Sequence, residues 1–139
     1  MAETAASSIP STSLPPSAMA AGGAAGEASP QRGPGGPGPA APPDLSVVVP
    51  LYNEEASVPH LVEQLLAVLR PLPRSFELVL VDDGSRDGTT SLLQQLCQSV
   101  PELVAVLLRR NYGQTAAMAA GFDASSGAVI VTLDGDLQN

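Results

Sequence analysis

The chain has 139 residues and a formal net charge of −8, with six arginines and no lysine. This balance argues against a nucleic-acid-binding surface and a polybasic membrane patch, because both need an excess of clustered basic side chains. The single cysteine excludes an internal disulfide framework and indicates a reducing, cytoplasmic compartment.

Residues 1–43 differ in composition from the rest of the chain. They hold nine of the 14 prolines and seven of the 13 glycines, and they show no apolar periodicity. Such a segment buries too little apolar surface to offset the entropy lost on ordering. It also lacks the basic start and the apolar run of a secretory signal peptide. We therefore predict a disordered tail over residues 1–43 and one small folded domain over residues 44–139.

Strand and helix patterns alternate through the predicted domain. Strands are predicted at 44–52, 76–81, 103–108 and 129–133, and helices at 57–70, 87–100 and 115–123. The last strand is a continuous apolar run, a pattern typical of strands that are buried on both faces. Alternation at this spacing predicts an α/β fold, with a parallel sheet and flanking helices.

Polar side chains follow all four predicted strands. They are Tyr52, Asn53 and Glu54 after the first, Asp82 and Asp83 after the second, Arg109 and Asn111 after the third, and Asp134 and Asp136 after the fourth. In open α/β sheets, ligands bind beyond the carboxyl ends of the strands. The sequence therefore predicts a ligand site at this edge of the sheet.

Asp134 and Asp136 are separated by one glycine and would point the same way along an extended chain. Paired carboxylates with oxygen-bearing substrates favour Mg²⁺ or Mn²⁺. The alternative is an acidic turn with no ligand. No glycine-rich dinucleotide motif or P-loop is present, so phosphate charge would be met mainly by a metal and only secondarily by arginine.

Asp82 and Asp83 suit the recognition of nucleotide N–H and hydroxyl donors. Two alternatives remain for the stretch that follows them: a capped turn, or the first half of a calcium loop whose twelfth position holds Gln94 instead of glutamate.

Several other polar residues have two interpretations. Glu55 contacts a ligand or is a first-turn helix charge. Arg109 and Arg110 clamp a phosphate or are solvated. His60 is interpreted as a surface residue, and Cys97 as part of the core.

Four motifs in this order resemble family 2 glycosyltransferases of the GT-A fold. They are VVVPLYNEE at 47–55, VDDGSRDGT at 81–89, NYGQT at 111–115 and LDGDLQ at 133–138. The stretch from 110 to 138 is most similar to the polyprenyl-phosphate branch, which includes dolichyl-phosphate mannose synthase. The resemblance covers the predicted domain and none of the tail.

The resemblance implies a role for each matching residue, as follows. Pro50, Tyr52 and Glu54 would line the nucleotide pocket, Asp82 and Asp83 would contact base or ribose, and Asn111 and Gln114 would lie near the diphosphate and sugar. Asp134 and Asp136 would be the catalytic pair, and Asp134, Asp136 and Gln138 would hold Mg²⁺ or Mn²⁺.

The implied reaction transfers a sugar from a UDP- or GDP-sugar to a polyprenyl phosphate at the cytoplasmic face of a membrane. Members of this family also need a second half that carries acceptor contacts and, often, membrane helices. We therefore expect a truncated, Rossmann-like donor-binding half that is inactive alone and meets the membrane only through the acceptor or a missing C-terminal part. The alternative is a non-catalytic module that binds a nucleotide sugar or a partner subunit.

Overall fold

The computed structural model describes residues 28–32 and 41–134. The elements of these residues, in chain order, are β1 (Ala28–Arg32), β2 (Leu45–Leu51), α1 (Val58–Leu69), β3 (Phe76–Asp82), α2 (Thr89–Ser99), β4 (Leu103–Leu108), α3 (Gln114–Ala124) and β5 (Val129–Thr132). They form one sheet in the order β1-β4-β3-β2-β5. Strands β2 to β5 are parallel, and β1 is antiparallel to β4. The predicted α/β fold is therefore confirmed, with one additional antiparallel strand.

Each face of the sheet carries its own apolar core. On one face α1 and α2 pack against strand side chains such as Val49 and Leu80. On the other face α3 packs against alternate residues such as Val48 and Val81. Gly121 allows α3 to approach closely, because a Cβ there would lie only 2.4 Å from Val48 Cγ1. The central strand β3 is buried at all seven positions. Its packing therefore fixes the backbone position from which the polar loop after β3 begins.

Helices α1 and α2 begin and end close to their predicted limits. Ser57 precedes α1, but its side chain makes no capping hydrogen bond. At the start of α2, Asp87 Oδ1 accepts hydrogen bonds from the Thr89 backbone N–H (2.9 Å) and hydroxyl (2.6 Å). Among the described residues, no helix has both the length and the apolar character needed to cross a membrane.

Strand β5 is exposed, and the prediction that it is buried on both faces is wrong. Val129, Ile130, Val131 and Leu133 are 57%, 41%, 40% and 37% exposed. The strand lies at the edge of the sheet and pairs with β2 alone in the described part of the chain.

Strand β1 departs from the predicted disordered tail. Its backbone pairs with β4 over five residues, from Ala28 opposite Leu108 to Arg32 opposite Val104. Arg32 Nη1 also donates a hydrogen bond of 3.1 Å to Oε1 of Glu77, whose side chain is 0% exposed. Backbone pairing and this ion pair stabilise a segment that has no apolar pattern. Residues 1–27 and 33–40 of the predicted tail lie outside the described residues.

Candidate functional site

A cleft of about 370 Å³ opens at the carboxyl edge of the parallel strands. Its lining residues are Pro50, Leu51, Tyr52, Glu54, Asp83, Asn111, Gly113, Gln114 and Asp134. Seven of these nine, all except Leu51 and Gly113, were predicted as site residues from the sequence. They come from the ends of β2, β3 and β5 and from the loop between β4 and α3. The structure thus brings together most of the predicted site.

The loop after β2 is held by the loop after β3. The Asn53 backbone N–H donates to Ser85 Oγ (2.8 Å), and Asn53 Oδ1 accepts from the Arg86 N–H (2.8 Å). Asn53 has a φ of 53°, in the left-handed region that asparagine tolerates better than most residues. The Glu54 N–H donates to Thr89 Oγ1 at 3.0 Å. These contacts fix the turn that presents Tyr52 and Glu54 to the cleft.

Asp83 organises the loop that carries Asn111. Its Oδ1 accepts from the Tyr112 N–H (2.8 Å), and its Oδ2 accepts from Asn111 Nδ2 and from the Gly113 N–H (both 3.0 Å). The side chain is among the buried polar groups, with 4% exposure. Sequence reasoning missed this role, because the three donors lie about 30 residues further along the chain. The predicted contact of Asp83 with a ligand stays a prediction.

Asp82 serves the turn that follows β3. It is 1% exposed, its Oδ1 accepts from the Ser85 N–H (2.9 Å), and its Oδ2 accepts from the Thr90 hydroxyl. This arrangement is the capped-turn alternative. Both carboxylate oxygens are engaged inside the protein, and the predicted contact of Asp82 with base or ribose stays a prediction.

Glu55 and Asp87 also stabilise this region from within. Glu55 Oε1 accepts from the Gly88 N–H (3.0 Å), and the Glu55 N–H donates to Asp87 Oδ2 (3.2 Å). Burial opposes ionisation of Asp87, but hydrogen bonds from Thr89 and Glu55 outweigh it and lower the pKa of Asp87. Asp87, a carboxylate of the calcium-loop alternative, is thus engaged in holding the loops after β2 and β3 together.

The residues predicted to bind a metal are described only in part. Asp134 lines the cleft, whereas Asp136 and Gln138 lie outside the described residues. Within residues 28–32 and 41–134, no group of three His, Cys, Asp or Glu side chains that could hold a metal ion is found. The predicted ligand set therefore stays a prediction.

The chemistry of the cleft nevertheless fits a divalent cation. Its described lining includes the carboxylates of Glu54 and Asp134 and no arginine, whereas the carboxylate of Asp83 is occupied by the loop that carries Asn111. A diphosphate entering such a site would be repelled unless a cation lay between the negative groups. Mg²⁺ and Mn²⁺ take oxygen ligands of this kind together with substrate phosphates.

Four further candidates lie outside this cleft. Arg109 and Arg110 line a neighbouring cleft that shares Tyr52 and Asn111 with the first. Cys97 is buried in the core formed with α1 and α2, as predicted, and His60 is exposed on α1.

The chain matches the family described as "Glycosyl transferase family 2" over residues 46–139. It is 56% identical over 96 residues to the undecaprenyl-phosphate 4-deoxy-4-formamido-L-arabinose transferase of Pseudomonas paraeruginosa. The aligned residues cover 68% of this chain and 28% of that protein. The Aeromonas hydrophila protein of the same name is 49% identical over 96 residues, covering 68% of this chain and 29% of that relative. The chain thus spans less than a third of the length of these curated relatives.

Solved structures of similar fold include two with bound nucleotides. S. aureus TarS in complex with UDP is similar with a TM-score of 0.59 at 27% identity, covering 67% of this chain and 27% of that one. The mannosyltransferase PcManGT from Pyrobaculum calidifontis, in complex with GDP-Man and Mn²⁺, has a TM-score of 0.55 at 27% identity, covering 76% of this chain and 31% of that one. These similarities confirm the predicted GT-A-like fold.

Proposed function

Because the chain belongs to glycosyl transferase family 2, we propose that it binds the nucleotide-sugar donor of a metal-dependent transferase whose acceptor is a polyprenyl phosphate. The observation that carries this proposal is the cleft, in which seven predicted donor-site residues meet. The names of the relatives support an undecaprenyl-phosphate acceptor. The UDP and the GDP-Man with Mn²⁺ in similar structures support a nucleotide sugar and a metal.

The position of each lining residue suggests how a donor would be held. Tyr52 is 41% exposed at the mouth, where its ring offers a flat surface to a base or ribose. Glu54 lines the same wall, and its carboxylate can accept hydrogen bonds from ribose hydroxyls or base N–H groups. The nucleoside end of the donor would therefore lie along the loop after β2.

The diphosphate would lie near the start of α3. Gly113 and Gln114 line the cleft, and α3 begins at Gln114. The N-terminal end of a helix carries partial positive charge and exposed N–H groups, which favour a bound anion. Asn111 lines the same side of the cleft, where Asp83 fixes its position by accepting hydrogen bonds from Asn111 Nδ2 at both Oδ2 and the backbone carbonyl.

Asp134, Asp136 and Gln138 are proposed to hold Mg²⁺ or Mn²⁺ beside the diphosphate. Such an ion, when bound, neutralises the negative charge that develops on the leaving nucleoside diphosphate. The phosphate of the acceptor has a second pKa near ~6, by analogy with phosphorylated side chains, so it is largely ionised before it attacks. The protein therefore does not need a strong general base for this reaction.

Donor binding is tested by calorimetric titration of the chain with UDP and with GDP in the presence of Mn²⁺. Asp136→Asn should weaken metal-dependent binding at least about 10–100-fold, the range known for outer-shell partners of metal sites. Asp123→Asn is the matched control, because Asp123 is an exposed carboxylate on α3 outside the cleft. Equal affinity of wild type and Asp136→Asn with Mn²⁺ would remove the metal assignment.

The alternative is a module that binds a nucleotide sugar or a partner subunit without catalysis. The two functions differ in turnover, measured as radiolabelled sugar moving from a UDP- or GDP-sugar into a lipid extract with Mn²⁺. Metal-dependent transfer supports the enzyme, whereas donor binding without transfer favours the module.

A further inference from the structure

The second cleft lies beside the donor cleft and differs from it in charge. It measures about 520 Å³ and is lined by Tyr52, Gly84, Ser85, Arg86, Arg109, Arg110 and Asn111. We propose that this arginine cleft binds a phosphate monoester. The inference rests on the proposed function only where it assigns that phosphate to the head group of a lipid acceptor.

Positive charge is concentrated in this cleft. It contains three of the six arginines in a chain that has no lysine and a net charge of −8. The described lining of the arginine cleft includes no carboxylate, whereas three carboxylates line the donor cleft. Two adjoining clefts of opposite charge would take different ligands: a metal with its nucleotide in one and a bare anion in the other.

The arginine cleft is built from two loops that are held against each other. Gly84 has a φ of +69°, and a Cβ there would lie 2.1 Å from the carbonyl carbon of Arg110 and 2.4 Å from the Asn111 nitrogen. Only glycine permits this approach of the two backbones. The Arg86 N–H is fixed by Asn53 Oδ1 at 2.8 Å. The loops are therefore preorganised, which lowers the entropic cost of binding an anion.

The orientation of Arg110 is also restrained. Its guanidinium carbon lies 5.0 Å from the centre of the Tyr112 ring, within the range of a cation–π contact. Tyr112 is in turn anchored, because its backbone N–H donates to Asp83 Oδ1 at 2.8 Å. The Asp83 carboxylate thus positions Asn111, which lines both clefts. It also positions Tyr112, which packs against Arg110 in the arginine cleft.

The lining suits a phosphate monoester in particular. Such a group carries a charge of about −1.5 to −2 near neutral pH and offers three acceptor oxygens. Guanidinium groups bind phosphate oxygens through paired N–H donors and stay protonated throughout the physiological range. The Ser85 hydroxyl, whose oxygen accepts from the Asn53 N–H, adds an O–H donor to the same cleft.

The test is titration of the full chain with inorganic phosphate, measured by calorimetry at fixed ionic strength. The double variant Arg109→Gln/Arg110→Gln should lose roughly tenfold or more in affinity, the equivalent of one charge-assisted hydrogen bond. Arg86→Gln is an independent variant on the opposite loop and should also weaken binding. Arg74→Gln is the matched control, because Arg74 is exposed outside both clefts.

Two further arms separate the sources of the phosphate. Vesicles of phosphatidylcholine with phosphatidic acid, a lipid phosphate monoester, should bind the chain more tightly than vesicles with phosphatidylglycerol, a diester, if the natural ligand is a lipid head group. Binding of inorganic phosphate with no preference among vesicles would assign the cleft to a free phosphate compound. Both results support an anion site.

The proposal is overturned if inorganic phosphate binds wild type, the double variant and Arg86→Gln equally, or binds none of them. It is also overturned if UDP with Mn²⁺ displaces phosphate and the arginine variants lose UDP affinity to the same extent, because the arginines would then serve the donor. Failure of the donor proposal is distinguishable, since it appears as the absence of UDP and GDP binding to wild type while phosphate still binds.

Discussion

Asp83 is the residue on which the shape of both clefts depends. Its two carboxylate oxygens accept three hydrogen bonds from the Asn111–Gly113 segment, and Asn111 Nδ2 also donates to the Asp83 carbonyl at 3.1 Å. Asp83→Asn would turn an amide N–H₂ toward at least one of these donors. We expect a loss of about 2 kcal/mol in the free energy of unfolding, in the range found for hydrogen bonds to charged groups.

The measurement for Asp83→Asn is urea unfolding, with Asp123→Asn as the control for loss of an exposed negative charge. We also expect weaker binding of both UDP and inorganic phosphate, because the loop between β4 and α3 lines both clefts. A variant with wild-type stability and wild-type binding would contradict the role assigned to Asp83.

Glu77 is a carboxylate buried at the opposite end of β3. It accepts hydrogen bonds from Ser46 Oγ (2.6 Å), the Ser126 N–H (2.8 Å) and Arg32 Nη1 (3.1 Å). Burial opposes its ionisation, but these donors outweigh burial and lower the pKa of Glu77. The network ties β1, β2 and the loop after α3 to the central strand.

The lowered pKa of Glu77 predicts a pH dependence of stability. Because the folded pKa lies below the unfolded one, the stabilisation from ionised Glu77 is complete above the unfolded pKa and is lost as pH falls through the folded pKa. Glu77→Gln should therefore cost most near neutral pH, about 2 kcal/mol, less than for a fully buried ion pair because Arg32 is 41% exposed. The difference from wild type should shrink below about pH 4.3, the usual pKa of glutamate.

Urea unfolding of wild type and Glu77→Gln at a series of pH values measures this effect. Glu63→Gln, at an exposed position on α1, controls for the titration of an ordinary surface carboxylate. A stability difference that stays constant down to acid pH would show that Glu77 contributes by packing and not by charge.

Strand β1 is the element whose docking can be followed through the single cysteine. Cys97 is 2% exposed, and its Sγ lies 3.1 Å from the Gln31 carbonyl oxygen, to which the thiol donates. Burial raises the pKa of Cys97, so the docked thiol should react slowly with thiol reagents. Arg32, adjacent to Gln31, is the only charged side chain that anchors β1 to the described part of the sheet.

Arg32→Gln should therefore increase the rate of Cys97 modification by a disulfide reagent. Loss of a charge-assisted hydrogen bond of about 1.5 kcal/mol predicts a rise of roughly tenfold in the population with β1 undocked. Arg74→Gln, at an exposed position, should leave the rate unchanged. An equal rate in wild type and Arg32→Gln would mean that β1 does not cover Cys97 in solution.

At the scale of the whole molecule, the sequence predicted the features that depend on local pattern. The alternation of strands and helices, the limits of α1 and α2, and the meeting of Tyr52, Glu54 and Asn111 at one edge all follow from periodicity and parallel topology. Long-range contacts were not predictable in this way. The hydrogen bond between Asp83 and Asn111 and the ion pair between Arg32 and Glu77 join residues that are about 30 to 45 positions apart in the chain.

Burial of a strand is likewise a property of its neighbours. The run at 129–133 has the same apolar character as β3, yet β3 lies between two strands and under helices, whereas β5 has a described neighbour on one side only. The sequence of a single strand cannot distinguish these two positions. The exposed position of β5 at the edge of the sheet bears on whether the chain associates with itself in solution.

The exposed edge at β5 predicts concentration-dependent self-association of the chain. An apolar edge strand presents unpaired backbone groups to other chains, and lysine at such an edge opposes pairing. Val131 lies in the middle of β5 and is 40% exposed, so Val131→Lys should shift the chain toward monomer in sedimentation velocity experiments. Val68→Lys is the control for added charge, because Val68 is 65% exposed on α1, away from the edge. If both variants reduce association equally, net charge and not the β5 edge governs it.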